Sequence, residues 1–271
     1  MTRTARAAAA LALLAGVVVQ AQQPPIQNGR VERRTPADLA AEVGAIAAQA
    51  AEPVWVAWRV PIAGVRTLCS WYVDDTVAVR GFLASTGDSS APSVPQITAP
   101  EGPVPLEAGT GLVVLLRLNA GRVERLRTLT DDCPIDAGGR TIHWFEGLSA
   151  PRSLAYLDTL ARLDDAEGLD RQTMGARRSL AQSAVSAMAL HADTTVANAL
   201  LAVIARGSDR AVTRRAVQGL AGLPEHAGVA HLIALARTSA DQAVRKDAVT
   251  ELGRIKDPRA IAYLAEVIGR D

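Results

Sequence analysis

Two cysteines, four histidines and one cluster of aspartates are the residues of this 271-residue sequence whose types could do chemistry. Cys69 and Cys133 stand 64 positions apart, with no Cys-x-x-Cys and no Cys-x-x-Cys-His. That spacing excludes a dithiol redox motif and covalent haem, and two thiolates are too few for a four-thiolate zinc site. In an oxidising compartment two such cysteines pair, so the reading is a structural disulfide, with a pair of buried thiols as the alternative. Asp131, Asp132 and Asp136 surround Cys133-Pro134, ahead of Gly138-Gly139. A hard cation such as calcium takes carboxylates, but the spacing does not fit an EF-hand loop. A polar turn whose aspartates cap backbone donors is the simpler reading. His143, beside Trp144 and Glu146, joins this candidate polar cluster as the one lone acid–base candidate, weighed against a plain core or edge histidine. His191, His226 and His231 supply no three converging ligands, so no metal site is assigned. There is no Gly-x-Ser-x-Gly nucleophile elbow. Gly109-Thr110-Gly111 precedes a strand rather than a helix and reads as a turn. Asp74-Asp75 and Asp164-Asp165 read as loop tips rather than a glycosidase pair. No catalytic group and no cofactor is assigned.

The elements around these residues divide the chain. Arg3 and Arg6 precede an unbroken apolar run at 7–19, followed by Val19-Gln20-Ala21. That order is a secretory signal peptide over 1–21. The run is shorter than the roughly 20 residues a spanning helix needs, so no stable membrane anchor is expected, and the protein is read as periplasmic or secreted. Residues 22–34 read as an extended lead-in. Thr35-Pro36-Ala37-Asp38 opens a helix over 36–51, with Thr35 as cap and Leu39, Val43, Ile46 and Ala47 as its apolar stripe. Strand patterns follow at 54–60, 65–73, 76–83, 111–118, 122–129 and 140–145, with a proline-rich surface loop at 84–110. Asn119-Ala120-Gly121 marks a short hairpin, and the doubly apolar strand at 112–116 should be interior. The expectation for 35–150 is an α+β domain, an antiparallel sheet with one packed helix.

After a linking helix and loop over 151–175, a repeat of period 32 fills 176–271. Ala184-Val185, Ala216-Val217 and Ala248-Val249 recur in register, as do Met188, Leu220 and Leu252, and Leu200, Leu232 and Leu264. Each unit reads as two helices. Pro151-Arg152-Ser153-Leu154-Ala155-Tyr156-Leu157 echoes Pro258-Arg259-Ala260-Ile261-Ala262-Tyr263-Leu264, so 151–163 reads as a lone second helix.

The segment 242–268 (QAVRKDAVTELGRIKDPRAIAYLAEVI) resembles HEAT repeats, in particular the short HEAT-like class first described in phycobilisome lyases. The resemblance implies about three helical hairpins stacked into a curved α-solenoid that binds protein partners. The lyase activity of some members does not carry over. Asn28-Gly29-Arg30-Val31-Glu32 and 122–147 further resemble exported bacterial proteins with C-terminal HEAT repeats, a likeness that brings no activity with it.

Charge assigns the surface. The formal net charge of +1 argues against a dedicated nucleic-acid binder. Apart from Arg3 and Arg6 within 1–21, the remaining −1 divides into net −5 over 22–175 (14 arginines, 19 acids) and net +4 over 176–271 (13 basic residues, 9 acids). Arg214-Arg215 and Arg245-Lys246, in successive repeats, form a candidate basic ridge, a docking edge for an acidic partner or for the acidic sheet domain. Ile255 is the candidate exposed apolar residue at the end of the array, beside a polar edge of Arg259, Tyr263, Glu266 and Arg270. The favoured function is a non-catalytic binding scaffold whose partner is a cell-envelope protein or a second copy. A ligand-binding or hydrolytic sheet domain, with a pocket near His143 or Asp131–Asp136, is the rival.

Overall fold

The computed structural model describes residues 24–64, 68–69, 78–79, 109–163 and 168–269. The readings of 1–21 as signal peptide, of 65–73 and 76–83 as strands, of 84–110 as a loop and of the two acid pairs lie wholly or almost wholly outside these residues.

Three long strands pair antiparallel. β3 (Val54–Pro61) runs antiparallel to β5 (Gly111–Asn119), and β5 to β6 (Arg122–Thr130). The β5–β6 turn places Ala120 at φ +48° and Gly121 at +77°, the left-handed pair that a tight hairpin with native twist requires. β8 (Thr141–Phe145) then lies parallel to β3, and β2 (Arg30–Arg34) parallel to β8. The sheet order is β2-β8-β3-β5-β6. The sheet is therefore mixed, which corrects the antiparallel expectation, and part of the expected lead-in is its edge strand. A second, small sheet joins β1 (Ile26–Gln27), β7 (Ile135–Asp136) and β4 (Ala78–Val79).

β3 and β5 are apolar on both faces because both faces are covered. Val56, Trp58, Val60, Leu112, Val114, Leu116 and Phe145 meet the helices. Trp55, Ala57, Val113, Leu115, Ile142 and Trp144 close a second core with Cys133 and Ile135. α1 (Leu39–Gln49) buries the expected stripe of Leu39, Val43, Ile46 and Ala47. Its cap is Asp38, not Thr35: the Asp38 carboxylate accepts from the Ala41 N–H at 3.1 Å. Arg152 holds the Pro36 and Ala37 carbonyls at 2.9 and 2.7 Å, outside the helix.

Seven further helices follow: α2 (Ala150–Leu160), α3 (Arg171–Met188), α4 (Val196–Arg206), α5 (Arg210–Ala221), α6 (Val229–Thr238), α7 (Gln242–Leu252) and α8 (Pro258–Ile268). α2 is the expected lone helix, and α3 starts five residues before the expected repeat boundary at 176. Asp170, Asp209, Asp241 and Asp257 cap α3, α5, α7 and α8 by accepting backbone N–H groups. First helices pack in the row α3, α5, α7, while α2 meets α4 and α6 meets α8. Gly228 permits the turn into α6, since a Cβ there would lie 1.9 Å from the Leu220 carbonyl oxygen. α3 also packs on β6, and one buried cluster runs from Leu39 through the sheet to Tyr263. Among the described residues no helix is long and apolar enough to cross a membrane.

Candidate functional site

The basic edge is built from helix faces turned away from the core. Val212, Ala216, Val217 and Leu220 of α5 point inward, which turns Arg214 and Arg215 out to solvent. Lys246 is exposed on α7. Arg245 is not part of this edge. With a period of 32, Lys246 stands at the place of Arg214, while Arg245 stands at the place of the buried Thr213. Arg245 is half-buried and donates to the Ser239 and Ala240 carbonyls at 2.6 and 3.1 Å, closing the end of α6.

A shallow depression of about 330 Å³ adjoins this edge, lined by Arg178, Asp209, Arg210, Ala211 and Arg214. Asp209 accepts from Arg178 Nε at 2.7 Å and from the Ala211 and Val212 N–H groups. Burial opposes ionisation of Asp209, but Arg178 and the backbone donors outweigh it and hold the carboxyl below its usual range. Arg210 is paired with Asp247, whose hydrogen bond holds the guanidinium above its usual pKa. Arg178 and Arg210 are thus neutralised within the fold. Arg214, Arg215 and Lys246 have no such acceptor among the described residues, in the sheet or in the helices.

Ile255 is half-buried and packed on the core. The exposed apolar side chains at that end are Ile261, Val267 and Ile268, at 60%, 40% and 75% exposure. Of the expected polar edge, Tyr263 is buried, while Arg259 and Glu266 stay exposed and are held in ion pairs. Tyr263 is buried beneath the Arg237 guanidinium, 5.2 Å above its ring. Glu266 pairs with Arg237 at 2.7 Å, and Arg259 turns back onto Asp257 at 2.9 Å. Arg270 lies outside the described residues.

Of the polar cluster, Asp131 and Asp132 come together beside Gly109, while Asp136 and His143 have other partners. Asp131 is buried and bonds Arg59 Nε at 2.7 Å, against Gly111, where a Cβ would lie 2.1 Å from that nitrogen. Asp132 faces Gly109. Asp136 accepts from Asn28 Nδ2 at 3.0 Å and from the Gly138 N–H at 2.9 Å, closing a turn. His143 stands on β8 with Nδ1 3.2 Å from Glu32, and burial, then Arg34, pushes its pKa down. Cys69 and Cys133 form a disulfide with Cα atoms 5.5 Å apart. It ties the segment after β3 to the end of β6, where Leu68 and Thr130 also exchange hydrogen bonds.

One polar group escaped the sequence reading. Trp58 Nε1–H donates to Ser153 Oγ at 2.8 Å. Ser153 Oγ lies 2.8 Å from His191 Nε2, and His191 Nδ1 lies 2.8 Å from the Ala187 carbonyl. The carbonyl can only accept, so Nδ1 carries the proton and Ser153 O–H donates to Nε2. This is the contact of an activated serine, but Ser153 is 0% and His191 1% exposed. No substrate reaches it. It is a joint: beside it Ala63 N–H donates to Leu190 O at 2.8 Å and Ala192 N–H to Pro61 O at 3.0 Å. No spacing rule links positions 58, 153 and 191, because they belong to β3, α2 and the turn after α3.

No curated protein and no solved structure matches the chain. The HEAT-repeat family model matches residues 197–271. That match covers α4–α8, whose paired helices and 32-residue register are those just described, and the protein carries a C-terminal HEAT-repeat domain.

Proposed function

We propose that the chain is a non-catalytic, exported scaffold of the short HEAT-like class, whose helical hairpins act as an α-solenoid and present a docking edge to an acidic protein of the cell envelope. One observation carries this reading: Arg214, Arg215 and Lys246 stand exposed on successive repeats without an acceptor among the described residues, while the neighbouring Arg178 and Arg210 are matched to Asp209 and Asp247. HEAT repeats commonly mediate protein interaction, which supports the role. Complementary charge speeds and orients such docking. Export is supported by the pattern at 1–21 and by the disulfide, which persists in oxidising compartments.

Capture from the envelope fraction with the whole chain, compared with an Arg214→Glu/Arg215→Glu/Lys246→Glu variant, tests the edge. The expected result is a partner that wild type retains at low salt and the variant loses, with equal thermal midpoints. Retention of the same partner by the variant overturns the proposal. N-terminal sequencing of the fractionated protein tests export, with a start near Gln22 expected. An intact Met1 in the cytosol overturns it.

A further inference from the structure

The two ends of the disulfide are held in place by bonds that do not involve sulfur. The Leu68 N–H donates to Thr130 Oγ1 at 3.0 Å, and the Thr130 N–H donates to the Leu68 carbonyl at 3.1 Å. The turn after β6 is fixed as well. There the Asp131 N–H donates to the Gly111 carbonyl at 3.0 Å, and the Cys133 N–H to the Thr130 carbonyl at 3.1 Å. Cys69 follows Leu68 directly and Cys133 ends that turn, so these bonds keep the two Cα atoms near their separation of 5.5 Å when the bridge is open. Oxygen atoms gather at the Cys133 end. Its Sγ lies 3.1 Å from the Leu68 carbonyl oxygen and 3.8 Å from Asp132 Oδ1. Both sulfurs and a carboxylate oxygen of Asp132 lie within 4.8 Å of one another. The adjacent aspartates differ in one respect. Asp131 is matched to Arg59, whereas the half-buried Asp132 has no cationic partner among the described residues. Gly109 leaves room for its carboxylate, since a Cβ there would lie 2.8 Å from Asp132 Oδ1.

We propose that the reduced chain binds a metal ion at this place: Cys69, Cys133 and Asp132 take up one thiophilic divalent cation of the zinc class where the bridge stood. Opening the bridge is a two-electron step. Two molecules of a thiol reductant supply the electrons and two protons. The S–S bond breaks, each sulfur becomes a thiol, and the reductant leaves as its own disulfide. The cation then displaces both thiol protons to solvent. Two thiolates and a carboxylate are three ligands of the kinds zinc accepts, with water in the fourth position. Zn–S bonds of about 2.3 Å at a tetrahedral angle set the sulfurs about 3.8 Å apart. Rotation about the two Cα–Cβ bonds supplies that spacing over the fixed Cα separation. Thiolates select this class of cation over calcium and magnesium. Charge points the same way. Without a cation, two thiolates would crowd the unmatched Asp132, and a dication offsets two of the three negative charges. Cys69 and Asp132 are half-buried rather than sealed, so reductant and cation can reach them. Bridge and cation are thus alternative staples for the same two segments, one under oxidising and the other under reducing conditions. The site uses none of Arg214, Arg215 and Lys246, and stands apart from the edge proposed for an acidic partner.

Calorimetric titration of the whole chain with Zn²⁺, in the oxidised state and again after reduction and anaerobic removal of the reductant, tests the site. The reduced chain should bind one Zn²⁺ and the oxidised chain none. Zn²⁺ should also raise the thermal midpoint that reduction lowers, because a cation bound only by the folded state stabilises it. Co²⁺ in its place should give the intense sulfur-to-metal absorption of a thiolate complex. Asp132→Asn keeps both thiols and should weaken Zn²⁺ binding by the reduced chain at least about tenfold, with its oxidised form as the folding control. A reduced wild type that takes up no Zn²⁺ overturns the proposal. So does an oxidised chain that binds equally well, which places the cation elsewhere. Equal affinity in reduced wild type and Asp132→Asn overturns it too, since the site is then an ordinary pair of thiols.

Discussion

Ser153 donates to a histidine nitrogen at 2.8 Å and does no chemistry, because the pair is sealed in the joint between sheet and helices. The Ser153 hydroxyl also satisfies the Trp58 N–H. Ser153→Ala strands both the indole donor and His191 Nε2 in the interior, where an unpaired polar group costs about 1–3 kcal/mol. A denaturant titration should show a loss of that size, and an unchanged midpoint would make the joint dispensable. Burial pushes the His191 pKa down, against the pull of the Ala187 carbonyl, to below the unfolded value of about 6.5. As pH falls through about 6.5, the unfolded chain takes up a proton that the folded chain refuses, so stability falls with pH. Above about pH 7.5 both states are neutral at this site and the contribution is flat. His143 is shifted the same way. The denaturation midpoint should therefore drop between about pH 7 and pH 5.5, with a shallower slope in His191→Gln. A midpoint that rises on acidification contradicts the assignment. The disulfide was legible at this scale because the chain has only two cysteines. The joint was not, because its three members are set by tertiary packing alone.

At the scale of the element, the repeats were legible and the sheet only partly so. Positions such as Val212 and Val244, or Leu220 and Leu252, recur every 32 residues because each occupies the same slot in the core. Strand existence was also readable at 111–118, 122–129 and 140–145. Strand direction was not, because apolar alternation is the same in parallel and antiparallel pairs. β2 and β8 pair across Arg30 and Thr141, far apart in sequence, so no turn signal announced it. Arg245 stands one position off the 32-residue register of Arg214, and one step on a helix turns a side chain by about 100°. The consequence is measurable. Leu220→Ala and Leu232→Ala should each cost about 2–5 kcal/mol, as both side chains are fully buried in the middle repeat. Arg214→Ala should stay within about 0.5 kcal/mol. Arg245→Ala should cost more, about 1–2 kcal/mol, because it frees two carbonyls at the end of α6. Equal costs for the two arginines would show that the backbone bonds of Arg245 carry no stability.

For the whole molecule, repeat arrays are stabilised between nearest neighbours, so their ends can open while the middle holds. Here the first helices are not an end. α2 packs on β3, α3 packs on β6, and the buried cluster that starts at Leu39 passes through Trp58 and Leu116 into Met188, Leu220 and Leu252. Sheet and helices share that core and should melt together. The chain itself supplies two independent probes. Trp55, Trp58 and Trp144, three of the four tryptophans, stand on strands of the sheet, while most helical residues among those described follow residue 170. Tryptophan fluorescence therefore reports the sheet, and far-UV circular dichroism reports chiefly the repeats. Their denaturation curves should coincide, the signature of one cooperative unit. Reducing the Cys69–Cys133 bridge, which closes a loop of 64 residues, should lower both curves together, by about 4 kcal/mol on chain-entropy grounds. α8 is the exception, since only Ala260 and Tyr263 of it are buried. Its amides should exchange with solvent well before those of α5, by local opening rather than global unfolding. Fluorescence that moves at lower denaturant than the dichroism, or that alone responds to reduction, would show two units joined by a hinge at α2.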